Sequence, residues 1–325
     1  MTRQLPFFDR SSTLAALPPS RAVQAIVDTV LAGIDLEKQP ARLAPPLPGG
    51  EFLLMPAYSS TYVGIKVLTV APENPQRGKE KIQGIYVLHS SADLTPVAII
   101  DGASLTAIRT PAVTLAAIRR LADIAPAGDE LPAQPRVLVY GAGTQAQATL
   151  TTAQTVFPDA DVEVVSRSAA GIDRLRRQLD GQNAFTDRSA DATEAVRTAD
   201  IIICTTTSSE PLFDGTLVRP GAIVAAIGTH ELHVRELDDT LIRRADVVVE
   251  SRASAERENG NLVGSFAANQ WGSGSPANLS ELFGGRMHRT PGRPAVYTGV
   301  GEAWQDLACA TVVYAEGVPD GPSAA

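Results

Sequence analysis

Gly141, Gly143 and Ala146 stand in the spacing G-x-G-x-x-A directly after the apolar run 137–140. In such a setting the first glycine permits a tight turn and the second lets a pyrophosphate approach the backbone. The small third residue lets the following helix pack on the strand, so the run reads as a dinucleotide-binding turn. Thr144 and Gln145 open that helix. An NAD site usually ends its second strand on an acidic residue that holds the ribose 2′-hydroxyl. Here the strand Val162–Val165 runs instead into Ser166, Arg167 and Ser168. A guanidinium with two hydroxyls fits a 2′-phosphate through charge-assisted hydrogen bonds. NADP(H) is therefore expected ahead of NAD(H), which stays possible; the alternative is a solvated loop arginine. Thr205 and Gly228, at the ends of two later apolar runs, are counted with the cofactor site.

A second group of residues points to an anion. Only four of the 28 basic residues are lysines, Lys38, Lys66, Lys79 and Lys81. Lys66 alone interrupts an apolar strand, where an unpaired charge is costly, so it should meet an anion. The other reading is a side chain that reaches solvent from an edge strand. Arg109 precedes Thr110 and Pro111. Proline suits the first position of a helix, so Thr110 reads as an N-cap, with Arg109 just outside a helix N-terminus, itself a favourable place for an anion. His230 follows the apolar run 223–227, at the carboxyl end of a strand. Its ordinary pKa suits proton transfer near neutrality. His230 and His233 in H-E-L-H fall one residue short of the HExxH spacing, so no metal site is expected.

Elements must position these groups. At roughly 150 residues per domain, 325 residues suggest two domains. The net charge of −8 argues against a nucleic-acid partner, and no apolar run approaches the ~18 residues that span a bilayer. The N-terminal run has no apolar segment of a secretory signal, and two lone cysteines suggest a reducing cytosol. Ser20 reads as the N-cap of a first helix, with Val23, Ile26, Val27, Val30 and Leu31 at helical spacing. Strand-like runs follow at 52–55, 62–70, 82–88 and 96–100, implying an α+β unit. In the second of them Val63, Ile65 and Val67 share one face, and Gly64, Lys66 and Leu68 the other. After Pro111 a helix runs to Ala122. From Arg136 strands at 136–140, 162–165, 201–205, 223–227 and 247–249 alternate with helices such as 144–156 and 170–179. This implies an α/β Rossmann fold, a doubly wound parallel sheet. Residues 259–285 read as a long surface loop, and 304–314 as a last helix.

Taken together, Gln39-Pro-Ala-Arg-Leu43, Met55-Pro-Ala-Tyr58, Lys66, the run Asp101 to Thr110 and the turn at Gly141–Ala146 resemble the ornithine cyclodeaminase/mu-crystallin family. So do Ile227-Gly228, Arg235-Glu-Leu-Asp238 and the late Val300-Gly301 with Asp306. The resemblance implies a homodimer of two-domain chains. Residues 1–117 with 300–325 would form an α+β substrate-binding and dimerisation domain, and 118–299 the Rossmann domain. It also implies that Arg42, Lys66 and Arg109 clamp a substrate carboxylate and that Thr110 and Gln145 contact cofactor phosphates. Two departures stand out. Where the cyclodeaminases carry a catalytic aspartate this chain has His230, as the mu-crystallin branch also lacks that aspartate, and Pro111 replaces a small non-proline residue.

The expected activity is thus NAD(P)H-dependent reduction of a small α-imino acid in the cytoplasm. A cyclic ketimine such as Δ1-pyrroline-2-carboxylate or Δ1-piperideine-2-carboxylate fits, with His230 or Lys66 as proton donor. Three other readings are ornithine cyclodeamination to proline and ammonia, an amino-acid dehydrogenase such as one for alanine, and a binding protein without turnover.

Overall fold

A computed structural model describes residues 5–179, 181, 184–228, 230–266 and 276–317. The chain divides into two compact units, 1–109 with 302–325, and 110–301.

The first unit opens with β1 (Phe7–Phe8), α1 (Arg10–Ala16) and α2 (Pro19–Leu31). It continues with β2 (Pro46–Leu47), β3 (Gly50–Tyr58), β4 (Tyr62–Val70), β5 (Ile82–Ser90) and β6 (Pro96–Asp101). The strands form one sheet in the order β1-β6-β5-β4-β3-β2, antiparallel except for the β1–β6 pair. Because side chains alternate along a strand, β4 buries Tyr62, Gly64, Lys66 and Leu68, while Val63, Ile65 and Val67 face the other way, half-exposed. Met55 of β3 and Tyr86 of β5 lie directly opposite Lys66. Gly64 is required here: a Cβ would sit 2.3 Å from the Tyr86 hydroxyl. The first helix differs from expectation. Pro19 occupies its first position after Pro18, so Ser20 lies inside it rather than capping it, and Asp9 instead caps the unforeseen α1 by accepting from the Ser12 N–H.

Helix α3 (Gly102–Asp123) runs unbroken through Pro111. Its start is set by Asp101, whose carboxylate accepts from the Ser104 N–H at 2.7 Å. Thr110 is therefore mid-helix and not an N-cap, and Arg109 lies within the helix rather than beyond its end. Proline forfeits one backbone bond, and the burial of Ala112, Val113, Leu115 and Ala116 outweighs that local cost.

The second unit contains β7 (Arg136–Tyr140), α4 (Thr144–Val156), β8 (Asp161–Val165), α5 (Ala169–Leu179), β9 (Thr186–Asp187) and α6 (Ala192–Thr198). Then come β10 (Ile201–Cys204), β11 (Ile223–Ala226), α7 (Asp239–Arg244), β12 (Asp246–Val249), α8 (Arg252–Glu258), β13 (Ala277–Asn278), α9 (Leu279–Phe283) and β14 (Ala295–Thr298). Its sheet is parallel throughout, in the order β13-β12-β14-β11-β10-β7-β8-β9. The winding reverses between β7 and β10, the switch point at which ligands of open α/β sheets bind. The five expected strands are present within one residue at each end. Strand β14, not anticipated, inserts between β11 and β12, with all four residues buried.

The expected surface loop 259–285 is overturned in its described part; its residues 267–275 lie outside the described residues. Asn259 and Asn261 are buried and donate to the Thr298 hydroxyl at 3.0 and 3.1 Å. The Asn261 Oδ1 accepts from the N–H groups of Glu236 and Leu237. Asn278 and Glu281 form a capping box at α9. Buried amides thus bind one segment to another, a use that composition does not distinguish from a solvated loop.

The chain closes with α10 (Ala303–Gly317), which returns to the first unit and packs on β3, β4, β5 and α2. Most of it is buried, including Gln305 and Asp306. Among the described residues no helix is long and apolar enough to cross a membrane.

Candidate functional site

In the first unit the cluster around Lys66 is built by three elements. The Lys66 ammonium and the Asp306 carboxylate are both 0% exposed, with Nζ donating to Oδ2 at 2.7 Å. Nζ also donates to the Thr106 hydroxyl of α3 at 3.0 Å, and that hydroxyl donates onward to the Gly102 carbonyl. An ammonium has three donors, so one is left without a partner among the described residues. Arg109, one turn along α3 from Thr106, donates through Nη1 to the Gln305 Oε1 at 2.8 Å. Its Nε lies 3.5 Å from the Asp306 Oδ1, an ion pair without a hydrogen bond.

Electrostatics make the cluster short of negative charge. Burial, the dominant cause, brings the Lys66 pKa down to about 7. The Asp306 carboxylate opposes that fall, while the Arg109 and Arg42 charges add to it. Arg42 is half-buried and precedes Leu43, which pairs with Leu54 of β3. The structure thus brings Arg42, Lys66 and Arg109 into one field, and of these Lys66 and Arg109 share the one carboxylate of Asp306. Tyr86 completes the floor; its hydroxyl is buried without a hydrogen-bond partner, and burial holds its pKa well above the usual phenol value. A small anion is what this arrangement can hold.

In the second unit the glycine turn lies at the switch point. Gly141 has φ +117°, a region that side chains rarely adopt, and a Cβ there would lie 2.6 Å from the Thr205 Oγ1. Thr205 donates from its hydroxyl and its N–H to the Tyr140 carbonyl, locking the ends of β7 and β10 together. Gly143 precedes α4 with no side-chain cap, and a Cβ there would meet nothing within 4 Å. The first N–H groups of α4, from Thr144 and Gln145 onward, are thus open to an anion. Ala146 is fully buried against the sheet, and the Gln145 Oε1 is buried with no partner. These residues fit a dinucleotide pyrophosphate.

Beyond β8, the Ser166 hydroxyl accepts from the Ser168 N–H, and the Ser168 hydroxyl accepts from the Gly171 N–H. Arg167 is exposed and makes no bond to any described residue. Gly228 is packed so closely that a Cβ would strike the Thr206 carbonyl at 1.7 Å. Its N–H donates to Glu236, which also accepts from the N–H and hydroxyl of Thr206. His230 is exposed, and Thr110 lies within α3, its carbonyl accepting from the Thr114 hydroxyl.

Sequence reasoning missed Thr106, Gln305, Asp306 and Glu236 as members of these arrangements. For Asp306 a signal existed: it is a charge inside the apolar run 303–314, the same anomaly that singled out Lys66. Glu236 offered none, since its partners come from loops after two other strands.

Comparison with known proteins agrees with this architecture. The family model described as ornithine cyclodeaminase/mu-crystallin matches residues 21–319. The chain is 28% identical over 309 residues to the ketimine reductase mu-crystallin of Mus musculus, covering 94% of this chain and 92% of that protein. It is 31% identical over 285 residues to a Delta(1)-pyrroline-2-carboxylate reductase of Bacillus cereus, covering 83% of this chain and 82% of the relative. The structure of Thermococcus litoralis Delta(1)-pyrroline-2-carboxylate reductase in complex with NADH and L-proline is similar in fold, with a TM-score of 0.82 at 22% identity over 98% of both chains.

Proposed function

Because the chain belongs to the ornithine cyclodeaminase/mu-crystallin family, we propose that it reduces a small cyclic α-imino acid to the amino acid with NAD(P)H. Δ1-pyrroline-2-carboxylate and Δ1-piperideine-2-carboxylate are the substrates that suit it. The carrying observation is the excess of positive charge around Lys66, which a substrate carboxylate would balance. Lys66, with its free third donor, Arg109 and Arg42 hold that carboxylate and so orient the imine; such positioning is the main thing a protein adds to hydride chemistry.

Gly141, Gly143, Ala146 and the start of α4 at Thr144 and Gln145 would hold the dinucleotide, with Thr110, Thr205 and Gly228 as further contacts. Ser166, Arg167 and Ser168 would take a 2′-phosphate, and the unpartnered guanidinium of Arg167 favours NADP(H) over NAD(H). When bound, the reduced cofactor supplies the hydride that becomes the new C–H bond at the imine carbon. The C=N electron pair moves to nitrogen, which takes one proton. The lowered pKa of Lys66 supports it over the exposed His230 as the source of that proton.

A homodimer is supported by the outer face of the first unit's sheet. Phe7, Ile99, Val87, Ile65 and Pro56 form a continuous apolar row across five strands, and Phe7 is 61% exposed. Such a face calls for a covering partner. The cytoplasm suits Cys204 and Cys309, both free and buried.

The test is NADPH oxidation with the two ketimines, run beside ornithine with detection of ammonia. Ketimine-dependent oxidation and no ammonia are expected. Proline and ammonia from ornithine would refute the reading.

A further inference from the structure

The residue that matters most to the cationic cluster after the cations themselves is Asp306. It sits on α10, 240 positions from Lys66 in the chain, and touches Lys66 with one oxygen while the other faces the Nε of Arg109. A buried ion pair is weak evidence for stability, since apolar residues of similar volume often serve a core better. Around it α10 is largely apolar and buried, at Trp304, Leu307, Ala308 and Cys309. One carboxylate also fails to neutralise the two cations it touches, Lys66 and Arg109, so its contribution lies in where they are held.

We propose that Asp306 is the positioning residue of the carboxylate clamp: it anchors Lys66 of β4 and draws Arg109 of α3, so that both cations meet one substrate carboxylate. The proposal rests on reading the cluster as the carboxylate site. Lys66 is faced by Asp306 and Cys309 from α10, by Arg109 and the Thr106 hydroxyl from α3, by Tyr86 from β5, and by Arg42. Asp306 is the one group among them whose charge favours the ammonium at neutral pH. Removing it should leave Lys66 both less charged and freer to move.

The scarcity of lysine makes this measurable without turnover. With lysine labelled at Cε and Nζ, four signals arise, and Lys38, Lys79 and Lys81 are exposed. One signal should titrate near 7, and in Asp306→Asn its midpoint should fall by about 1–3 pH units. The KM for the ketimine should rise about tenfold or more, while the Kd for NADPH alone stays within about twofold. An unmoved midpoint overturns the proposal, and so does a moved midpoint with an unchanged KM. Should Asp306→Asn not fold, Asp306→Glu keeps the charge but displaces it. It should hold the midpoint within about one unit and still raise KM, and an unchanged KM overturns the proposal. If the wild type reduces no imine, the reduction reading has failed. The titration, with the Kd of a ring carboxylate in place of KM, still decides the role of Asp306.

Discussion

Substrate binding should weaken as pH rises through neutrality, because the clamp depends on a lysine whose pKa is about 7. A probe with no titration of its own in the working range isolates the effect. Pyrrole-2-carboxylate is a planar five-membered ring whose carboxylate stays ionised above about pH 5. The Lys66 ammonium is about nine-tenths charged at pH 6 and about one-tenth at pH 8. Neutral Lys66 loses a charged hydrogen bond worth ~1.5–3 kcal/mol, or about 10–150-fold in affinity. Combining the two, the Kd for the probe should rise about five- to tenfold between pH 6 and 8 and level off at higher pH. The sign follows from linkage. The bound carboxylate favours the charged ammonium, so binding above the midpoint must take up a proton, and this costs affinity as pH rises. Calorimetry in buffers of different ionisation enthalpy measures both quantities. Uptake of about 0.4–0.85 proton is expected near pH 8, and Lys66→Met should abolish uptake together with the pH dependence. A Kd constant from pH 6 to 9 with no proton uptake would refute the assignment of Lys66 to the carboxylate.

Arg167→Ala should raise the KM for NADPH by about tenfold or more and leave that for NADH nearly unchanged, since a charged hydrogen bond to a 2′-phosphate is worth ~1.5–3 kcal/mol; initial rates with both cofactors decide it, and equal effects remove the 2′-phosphate argument. Gly141→Ala forces a Cβ to 2.6 Å from the Thr205 hydroxyl at φ +117°, and should cost about 1–3 kcal/mol of stability by denaturant titration, whereas an unchanged midpoint would mean the turn is not held as described. Arg109→Ala should lower kcat/KM for the ketimine by ~1–3 kcal/mol of transition-state stabilisation with dinucleotide affinity retained; near-wild-type kinetics would show that the clamp is misplaced. Ile65→Glu puts a charge in the middle of the outer apolar row and should yield monomers in light scattering, an outcome contradicted by an unaltered dimer.

Periodicity and turn chemistry are local, and what depends on them was legible in the amino-acid order. The alternation of β4 set Lys66 on the same face as Gly64 and Leu68, and the structure buries that face. The run at Gly141 to Ala146 marked the turn, the helix start and the packing contact, because each role needs only a small residue at a fixed offset. Pro111 shows the limit of such reasoning: a residue that favours a helix start by itself is carried mid-helix in α3 when the flanking residues bury well. Asn259 and Asn261 show another, because the polar partners that justify burying them arrive from β14 and from 236–237. Lys66 announced by its surroundings that it needed an anion. Which group would answer was decided only when α10 folded back onto β4 and set Asp306 2.7 Å away. Local free energies choose strands, turns and helices. The pairing of charges 240 residues apart comes from the packing of a whole unit around them, and no pattern of neighbours along the chain encodes it.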